Sequence, residues 1–258
     1  MTFLQRYGPT ALVTGASSGI GAAMAEQLAA KGFNVIVTAR RQDRLAALAA
    51  QLKDRHAVEA IDWVCDLSKP EQVGALIAKL QEVDLGLVVS NAGFGFKGRF
   101  DAASLALQQE MLMVNTMAPL TLCRALLPGL VLRGRGGVIL TGSVEGFIGC
   151  PYSTTYAASK AFIQSLGEGL WAEYRPLGVD ILTLCPGATD TEAPGKQGID
   201  PATLPHLMSA EEVARRALEQ LGQGPVYVPS AHYREVFEQL LSLPREQALL
   251  SMAESLKP

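Results

Sequence analysis

Residues 11–41 of the chain read ALVTGASSGIGAAMAEQLAAKGFNVIVTARR, and the order of elements in this stretch decides the fold. Two short apolar runs, 11–14 and 34–38, flank a longer segment of helical period at 19–31. Apolar runs of this length that are rich in β-branched residues are typical of buried strands. A strand, a helix and a second strand in this order predict a right-handed βαβ unit, whose strands lie parallel in one sheet.

The same alternation continues along the chain. Five more apolar runs predict strands: 60–65, 85–90, 137–142, 179–184 and 226–228. Segments of helical period lie at 41–53, 70–82, 104–132 and 209–221. This order predicts the α/β class, with a doubly wound, Rossmann-type and mainly parallel sheet of about seven strands and helices on both faces.

Length, composition and charge narrow the possible partners. With 258 residues, 48% of them hydrophobic, the chain is interpreted as a single domain over 1–258. Its net charge of −3 comes from interspersed signs, which favours a small-molecule partner over nucleic acid or a membrane surface. No segment has the roughly 18 uninterrupted apolar residues of a membrane span, and the N-terminal stretch is too short for a signal peptide. We therefore expect a cytoplasmic protein.

The cysteine and histidine residues predict no metal site. The four cysteines lie far apart, without CxxC or Cys/His spacing: Cys65, Cys123, Cys150 and Cys185. Cysteines in such surroundings are more often buried thiols than redox or metal-binding groups. The three histidines lie in no recognisable motif.

The turn after the first predicted strand predicts a dinucleotide site. Glycines at 15, 19 and 21 let the backbone turn tightly and approach a pyrophosphate, and the N–H groups at the start of the following helix attract its charge. Contacts with the cofactor are predicted for most of this turn: Gly15, Ser17, Ser18, Gly19, Ile20 and Gly21.

The spacing T-G-x-x-x-G-x-G resembles the single-domain branch of the short-chain dehydrogenase/reductase family, and the resemblance covers nearly the whole chain. It implies further cofactor contacts at Asp66, Leu67, Asn91, Ala92, Gly93, Pro186, Gly187, Thr189 and Thr191. Taken alone, Asp66 and Asn91 can also cap helices, and Pro186 with Gly187 can simply end a strand.

Tyr156 and Lys160 are the candidate proton-transfer pair. A phenol and an ammonium at i and i+4 lie on one helix face, and a nearby cation lowers a phenol pKa from its usual value of about 10. Ser143, thirteen residues before Tyr156, can donate to the developing oxyanion. The resemblance implies that Lys160 also binds the nicotinamide ribose and that Asn115 anchors a water. Alternatively, Ser143 is a strand-end hydroxyl and Asn115 bonds to the backbone.

The end of the second predicted strand bears on the choice of cofactor. An NAD-binding strand of this kind ends in an acid, which would repel a 2′-phosphate, but the sequence places Ala39 there, followed by Arg40 and Arg41. A guanidinium fork suits phosphate, so NADP(H) is the expected cofactor, while NAD(H) stays possible. Arg40 is the expected phosphate contact, and Arg41 can instead begin the next helix and point to water.

Three parts of the sequence near the predicted site either depart from the family pattern or are expected to differ with the substrate. Glu145 stands where the family commonly has alanine, and it is either a solvated or ion-paired side chain or a contact for a polar or basic substrate. Residues 188–207, rich in glycine and proline, are expected to form a lid over the substrate. Residues 230–256 have helical period, broken by Pro244, and are expected to cap the site or add an interface.

The sequence therefore predicts an NADP-dependent oxidoreductase that interconverts a ketone or aldehyde and an alcohol, with Tyr156 as general acid and base. The alternatives are an NAD-dependent alcohol or steroid dehydrogenase and a catalytically silent nucleotide-binding regulator. The resemblance also implies a homodimer or homotetramer, formed by the helices at 104–132 and 152–175.

Overall fold

A computed structural model describes residues 1–257 of the chain, and a twisted parallel sheet forms its centre. The strands in chain order are β1 Thr10–Thr14, β2 Asn34–Ala39, β3 Ala60–Val64, β4 Leu85–Ser90, β5 Gly136–Thr141, β6 Val179–Leu184, β7 Thr189–Asp190, β8 Met208–Ser209 and β9 Val226–Tyr227. Within the described chain the main sheet has the order β3-β2-β1-β4-β5-β6-β9, and every neighbouring pair is parallel. All seven predicted strands are confirmed, as is the doubly wound α/β class.

Helices connect the strands. In residues 1–257 they are α1 Phe3–Tyr7, α2 Gly19–Ala30, α3 Gln42–His56, α4 Pro70–Leu80, α5 Leu105–Leu112, α6 Ala118–Arg133, α7 Thr154–Tyr174, α8 Glu192–Lys196, α9 Ala210–Gln220, α10 Ala231–Ser242 and α11 Arg245–Ser255. Short 3-10 turns lie at Phe100–Ala102, Val144–Gly146, Arg175–Leu177 and Pro201–Thr203.

Successive residues of a strand pack into two separate apolar cores, one on each face of the sheet, as expected when helices cover both faces. In β1, which is buried throughout, Ala11 and Val13 pack into a cluster with α2, α3 and α9. Leu12 points the opposite way and packs with α4, α6 and α7. The helices are therefore layered on both sides of the sheet, and the carboxyl ends of its strands are left to form a site.

The predicted helix over 104–132 is confirmed as one helical segment, Leu105–Arg133, which contains a π-helical turn. The π-helical turn Met113–Met117 separates α5 from α6. Pro119 gives the physical reason, because proline has no N–H to donate to the carbonyl of Asn115 and its ring crowds that carbonyl. The turn widens the helix at Asn115.

The helical segment Leu105–Arg133 is long and apolar enough to cross a membrane. However, 56% of its most apolar stretch is buried inside the fold, which is the burial expected of a core helix.

The C-terminal helices pack beside the end of β5. A third apolar cluster joins Val144, Ile148 and Cys150 to Phe237 of α10 and Met252 of α11. Pro244 separates these two helices. The tail thereby covers the segment that follows Ser143.

All four cysteines are buried, as expected. Burial raises the pKa of Cys123 and Cys150 to about 12 and that of Cys65 to about 11, so these thiols are poor nucleophiles near neutral pH.

Candidate active site

The glycine turn has the shape that a pyrophosphate cradle needs. Gly15 and Gly19 adopt the left-handed backbone, with φ of +68° and +57°. A Cβ at Gly21 would overlap the carbonyl oxygen of Gly15. These positions exclude larger residues and hold the backbone between β1 and α2 open to a ligand, so the turn fits a dinucleotide.

Thr14 ties this turn to the end of β4. Its buried hydroxyl accepts hydrogen bonds from the backbone N–H groups of Asn91, at 2.9 Å, and Ala92, at 3.0 Å. The Asn91 side chain donates in return to the carbonyl oxygen of Thr14, at 3.1 Å. Asn91 therefore links the ends of β1 and β4 and does not cap a helix.

Asp66 and Leu67 lie just after β3. Asp66 accepts hydrogen bonds from the backbone and hydroxyl of Ser68, at 3.0 and 2.8 Å, while Leu67 is buried. Partial burial works to raise the pKa of Asp66, but the bonds from Ser68 outweigh it and the pKa is lowered. Asp66 is thus held ionised at the edge of the cleft.

The two arginines after β2 point in different directions. Arg40 pairs with Glu110 at 2.9 Å; the Arg40 side chain is 60% exposed and that of Glu110 36%. Arg41 reaches into the glycine turn, where its guanidinium donates to the hydroxyls of Ser17, at 2.8 Å, and Ser18, at 2.7 Å. Arg41 also begins α3, but its guanidinium is bound rather than solvated. Arg41, and not Arg40, therefore contacts the glycine turn, although the sequence favoured Arg40 as the phosphate contact.

Glu192 joins the lid segment 188–207 to this arginine. Its carboxylate pairs with Arg41 at 2.8 Å and with Lys196 at 2.8 Å, and it also contacts Arg44. Hydrogen bonds from Lys196, Arg44 and Arg41 hold the pKa of Glu192 well below its usual range. No local sequence pattern predicts this cluster, because Glu192 and Arg41 lie 151 positions apart.

The lid segment contains more structure than its composition suggested, with β7, α8 and the 3-10 turn Pro201–Thr203 inside it and β8 directly after it. Thr191 caps α8 by accepting from the backbone N–H of Ala193, at 3.2 Å. Its methyl group faces the glycine turn, since a Cβ at Gly19 would lie 2.9 Å from Thr191 Cγ2. Thr189 lies in β7, and its hydroxyl donates to the Gly187 carbonyl at 3.1 Å.

Pro186 and Gly187 follow β6, as predicted for a strand end. The Pro186 carbonyl accepts from the backbone N–H of Val144, at 3.2 Å. A Cβ at Gly187 would overlap the ring of Tyr233 from α10, so glycine is required there by the tail.

Ser143 follows the end of β5, and Tyr156 and Lys160 lie in the first two turns of α7. Ser143 is buried and accepts from the backbone N–H of Glu145, at 3.2 Å, which leaves its O–H to donate elsewhere. Lys160 is 4% exposed and donates to the Thr141 carbonyl at 2.7 Å. Its Nζ lies 5.6 Å from the centre of the Tyr156 ring. Tyr152 lies nearby on the wall of a small apolar pocket that Tyr156 also lines.

Asn115 and Gly93 surround the lysine. The Asn115 side chain donates to the Phe94 carbonyl at 2.9 Å and accepts from the Phe94 N–H at 3.1 Å. A Cβ at Gly93 would lie 3.1 Å from Asn115 Oδ1 and 3.2 Å from Lys160 Nζ. The absent side chain at Gly93 therefore leaves room for both polar groups.

The electrostatics of the tyrosine differ from the sequence expectation. Burial, followed by the negative charge of Glu145, raises the pKa of Tyr156, although a hydrogen bond with Ser143 works in the opposite direction. Burial also lowers the pKa of Lys160 to about 8. Both shifts have one physical cause, because removal from water disfavours the phenolate and the ammonium alike.

Glu145 is ion-paired: its Oε1 accepts from Lys97 Nζ at 2.7 Å, and the two side chains are 22% and 21% exposed. Lys97 lies in the loop after β4, and no sequence motif predicts a role for it.

A dinucleotide cradle and a tyrosine–lysine pair at the same edge of a doubly wound sheet define a class of nicotinamide-dependent oxidoreductases. Residues 9–201 match the family model of the short chain dehydrogenases, and the chain belongs to that family. It is accordingly an oxidoreductase that acts between CH–OH and C=O groups.

Three relatives illustrate the likeness. The chain is 29% identical to the 7beta-hydroxysteroid dehydrogenase of Clostridium sardiniense over 255 residues, which is 98% of each chain. It is 35% identical to a short-chain dehydrogenase from Sphingobium yanoikuyae in complex with NADPH, with a TM-score of 0.84 and 95% of each chain covered. It is 32% identical to the bulky-bulky ketone specific alcohol dehydrogenase from Comamonas testosteroni, with a TM-score of 0.79 and coverage of 95% and 94%.

The hydrogen bonds to the Thr14 hydroxyl lead to a prediction about the stability of the fold. Thr14→Val would leave two part-buried N–H groups without this acceptor and should lower the free energy of unfolding by about 1–3 kcal/mol, measured by urea denaturation. Thr38→Val is the matched control, because Thr38 is the register partner of Thr14 on β2, is equally buried, and has no hydrogen-bond partner for its hydroxyl within residues 1–257. Equal losses in the two variants would contradict the assignment.

Proposed function

We propose that the protein is an NADP-dependent oxidoreductase that interconverts a ketone or aldehyde and an alcohol, with Tyr156 as general acid and base. The observation that carries the proposal is the convergence of Ser143, Tyr156 and Lys160 beside the glycine turn. The bound NADPH of the Sphingobium relative supports the choice of cofactor.

Residues from several strand ends would hold the cofactor. They are Gly15, Ser17, Ser18, Gly19, Ile20, Gly21, Arg40, Arg41, Asp66, Leu67, Asn91, Ala92, Gly93, Tyr156, Lys160, Pro186, Gly187, Thr189 and Thr191. When bound, a reduced nicotinamide supplies a hydride to the carbonyl carbon.

The chain's own groups handle the oxygen of that carbonyl. Ser143 Oγ accepts from the backbone N–H of Glu145, which leaves its O–H available to donate to the substrate oxygen. Tyr156 has a raised pKa and is therefore protonated near neutral pH, which is the state that an acid needs for carbonyl reduction. Its phenol proton passes to the alkoxide oxygen.

Lys160 stabilises the phenolate that this proton transfer leaves behind. With a pKa of about 8, its ammonium is the dominant form at neutral pH in spite of burial. Asn115, fixed to the Phe94 backbone, holds the wall beside the lysine where a water would complete the path for protons.

The cofactor's 2′-phosphate is assigned to Arg41, with Ser17 beside it and Arg40 as a second, more exposed cation. No carboxylate stands at Ala39 to repel the phosphate. The guanidinium of Arg41 already lies against the glycine turn, but it also pairs with Glu192, so the phosphate would take the place of that carboxylate.

A bulky, largely apolar carbonyl compound is the proposed substrate class. Phe96, Met111 and Tyr152 form an apolar wall beside Tyr156. The relatives named for hydroxysteroids and for bulky-bulky ketones support this substrate class.

Assembly into a homodimer or homotetramer belongs to the same proposal. Large apolar side chains stay exposed on the helices that the sequence assigns to an interface, among them Leu105 at 71%, Leu132 at 90% and Phe162 at 38%. Such exposure favours a covered face. Light scattering at micromolar concentration should give a multiple of the monomer mass, and a monomeric mass would contradict it.

A cofactor-saturated activity screen tests the proposed function. NADPH oxidation should be detected with at least one bulky ketone, and Tyr156→Phe should reduce the rate by about 10²-fold or more, because it removes the proton donor. Tyr152→Phe is the matched control and should keep most of the activity. Full activity of Tyr156→Phe, or NADPH binding without turnover of any carbonyl compound, would refute the proposal.

The cofactor preference has its own test. Arg41→Ala should raise the Kd of NADPH about tenfold or more, as for the loss of a charge-assisted hydrogen bond, while the Kd of NADH changes little. Arg40→Ala is the comparison and should have the smaller effect. A larger loss of NADPH affinity in Arg40→Ala would transfer the phosphate contact to Arg40, and equal affinity of the unmodified protein for NADPH and NADH would contradict the preference altogether.

A further inference from the structure

Glu145 occupies a fixed position next to the group that would hold the substrate oxygen. It lies in the 3-10 turn Val144–Gly146, two residues after Ser143. Its backbone N–H donates to Ser143 Oγ at 3.2 Å. The backbone of Glu145 is therefore fixed relative to Ser143, the residue that would hold the substrate carbonyl.

Only one oxygen of this carboxylate has a partner in the part of the chain that the structure describes. Oε1 accepts from Lys97, whereas Oε2 is buried and accepts from no group within residues 1–257. A buried carboxylate oxygen without a donor is costly, and most such atoms in folded proteins are hydrogen-bonded. Oε2 is thus an acceptor suited to a donor from outside the chain.

The surroundings of the carboxylate belong to the substrate side of the site. After the larger effect of burial, its charge raises the pKa of Tyr156, on α7, and of Cys150, in the segment that packs against the tail. Burial raises the pKa of Tyr233 on α10, and the negative charge of Glu145 adds to this effect. The turn that carries Glu145 packs against α7 and α10, since Val144 shares one apolar cluster with Ala157 and Phe237.

Lys97 decides which kind of donor fits. Its ammonium compensates the charge of Glu145, so the pair as a whole is neutral and gives no net attraction to a second cation or to an anion. A hydroxyl group satisfies both members, because it can donate to Oε2 and accept from another N–H of Lys97 Nζ. An ammonium cannot accept, and a carboxylate cannot donate.

We propose that the Lys97–Glu145 pair binds a hydroxyl group of the substrate, away from the reacting carbonyl, so that the enzyme acts on hydroxylated ring ketones and the corresponding diols. This inference rests on the proposed function and names the substrate class within it. Glu145 and Lys97 then act as specificity residues: they hold the substrate by a second point and orient its carbonyl toward Ser143 and Tyr156.

The test compares matched ketones on the full chain with saturating NADPH. The probes are cyclohexanones and decalones that bear hydrogen, hydroxyl or ammonium on the ring carbon farthest from the carbonyl. In at least one set, kcat/KM should be about tenfold or more higher for the hydroxyl compound than for the hydrogen compound. The ammonium compound should be the poorer substrate of the two polar ones.

Two variants at the pair separate recognition from a structural role. Glu145→Leu should bring the ratio of hydroxyl to hydrogen substrate close to one, and Glu145→Gln, which keeps an acceptor oxygen, should retain part of the preference. Lys97→Met leaves the carboxylate uncompensated and should reverse the order of the hydroxyl and ammonium compounds. Glu82→Gln, which breaks a surface ion pair with Lys79, is the control and should leave the ratio unchanged.

The outcomes distinguish this inference from the proposed function. Turnover of the ketones with a ratio near one in the unmodified protein, or a ratio that Glu145→Leu leaves unchanged, would overturn the inference alone. NADPH oxidation with none of the ketones would count against the proposed function itself.

Discussion

The buried ammonium of Lys160 is the constraint on which the site depends. A charge in a water-poor interior is costly, and burial lowers the pKa of this lysine to about 8. The Thr141 carbonyl at the end of β5 accepts one of its hydrogen bonds, and Gly93 leaves space beside it. The parallel sheet brings these backbone groups to one edge. In the proposed function, the ammonium held at this edge stabilises the phenolate of Tyr156.

Two ion pairs extend this arrangement to opposite ends of the cleft. Arg41 and Glu192 connect the glycine turn to the lid segment, on the side assigned to the cofactor. Lys97 and Glu145 lie on the side assigned to the substrate, next to Ser143. In each pair one member comes from a loop that follows a strand, so the sheet sets the position of both. Cofactor choice and substrate choice are thereby assigned to different side chains around one proton-transfer group.

The sequence predicted most of the framework, because strand and helix periods are local properties. All seven strands and the meeting of the candidate residues at their carboxyl ends followed from it. The π turn at Asn115 did not, since it depends on Pro119 inside a pattern that is otherwise helical. The choice between Arg40 and Arg41 depends on side-chain direction, and the partners Lys97 and Glu192 lie far away in sequence. The pKa of Tyr156 is raised, opposite to the expectation, because the phenol is buried and lies near the charge of Glu145.

Isotope transfer tests the central claim most directly. NADPH deuterated at one face of nicotinamide C4 would be incubated with a bulky hydroxylated ring ketone, and the alcohol analysed by mass spectrometry. Two preparations, one for each face, would be compared. The account predicts deuterium on the carbinol carbon from one face only, and none in the Tyr156→Phe variant. Tight binding of NADPH without deuterium in any alcohol would contradict it and would identify a nucleotide-binding protein without catalysis.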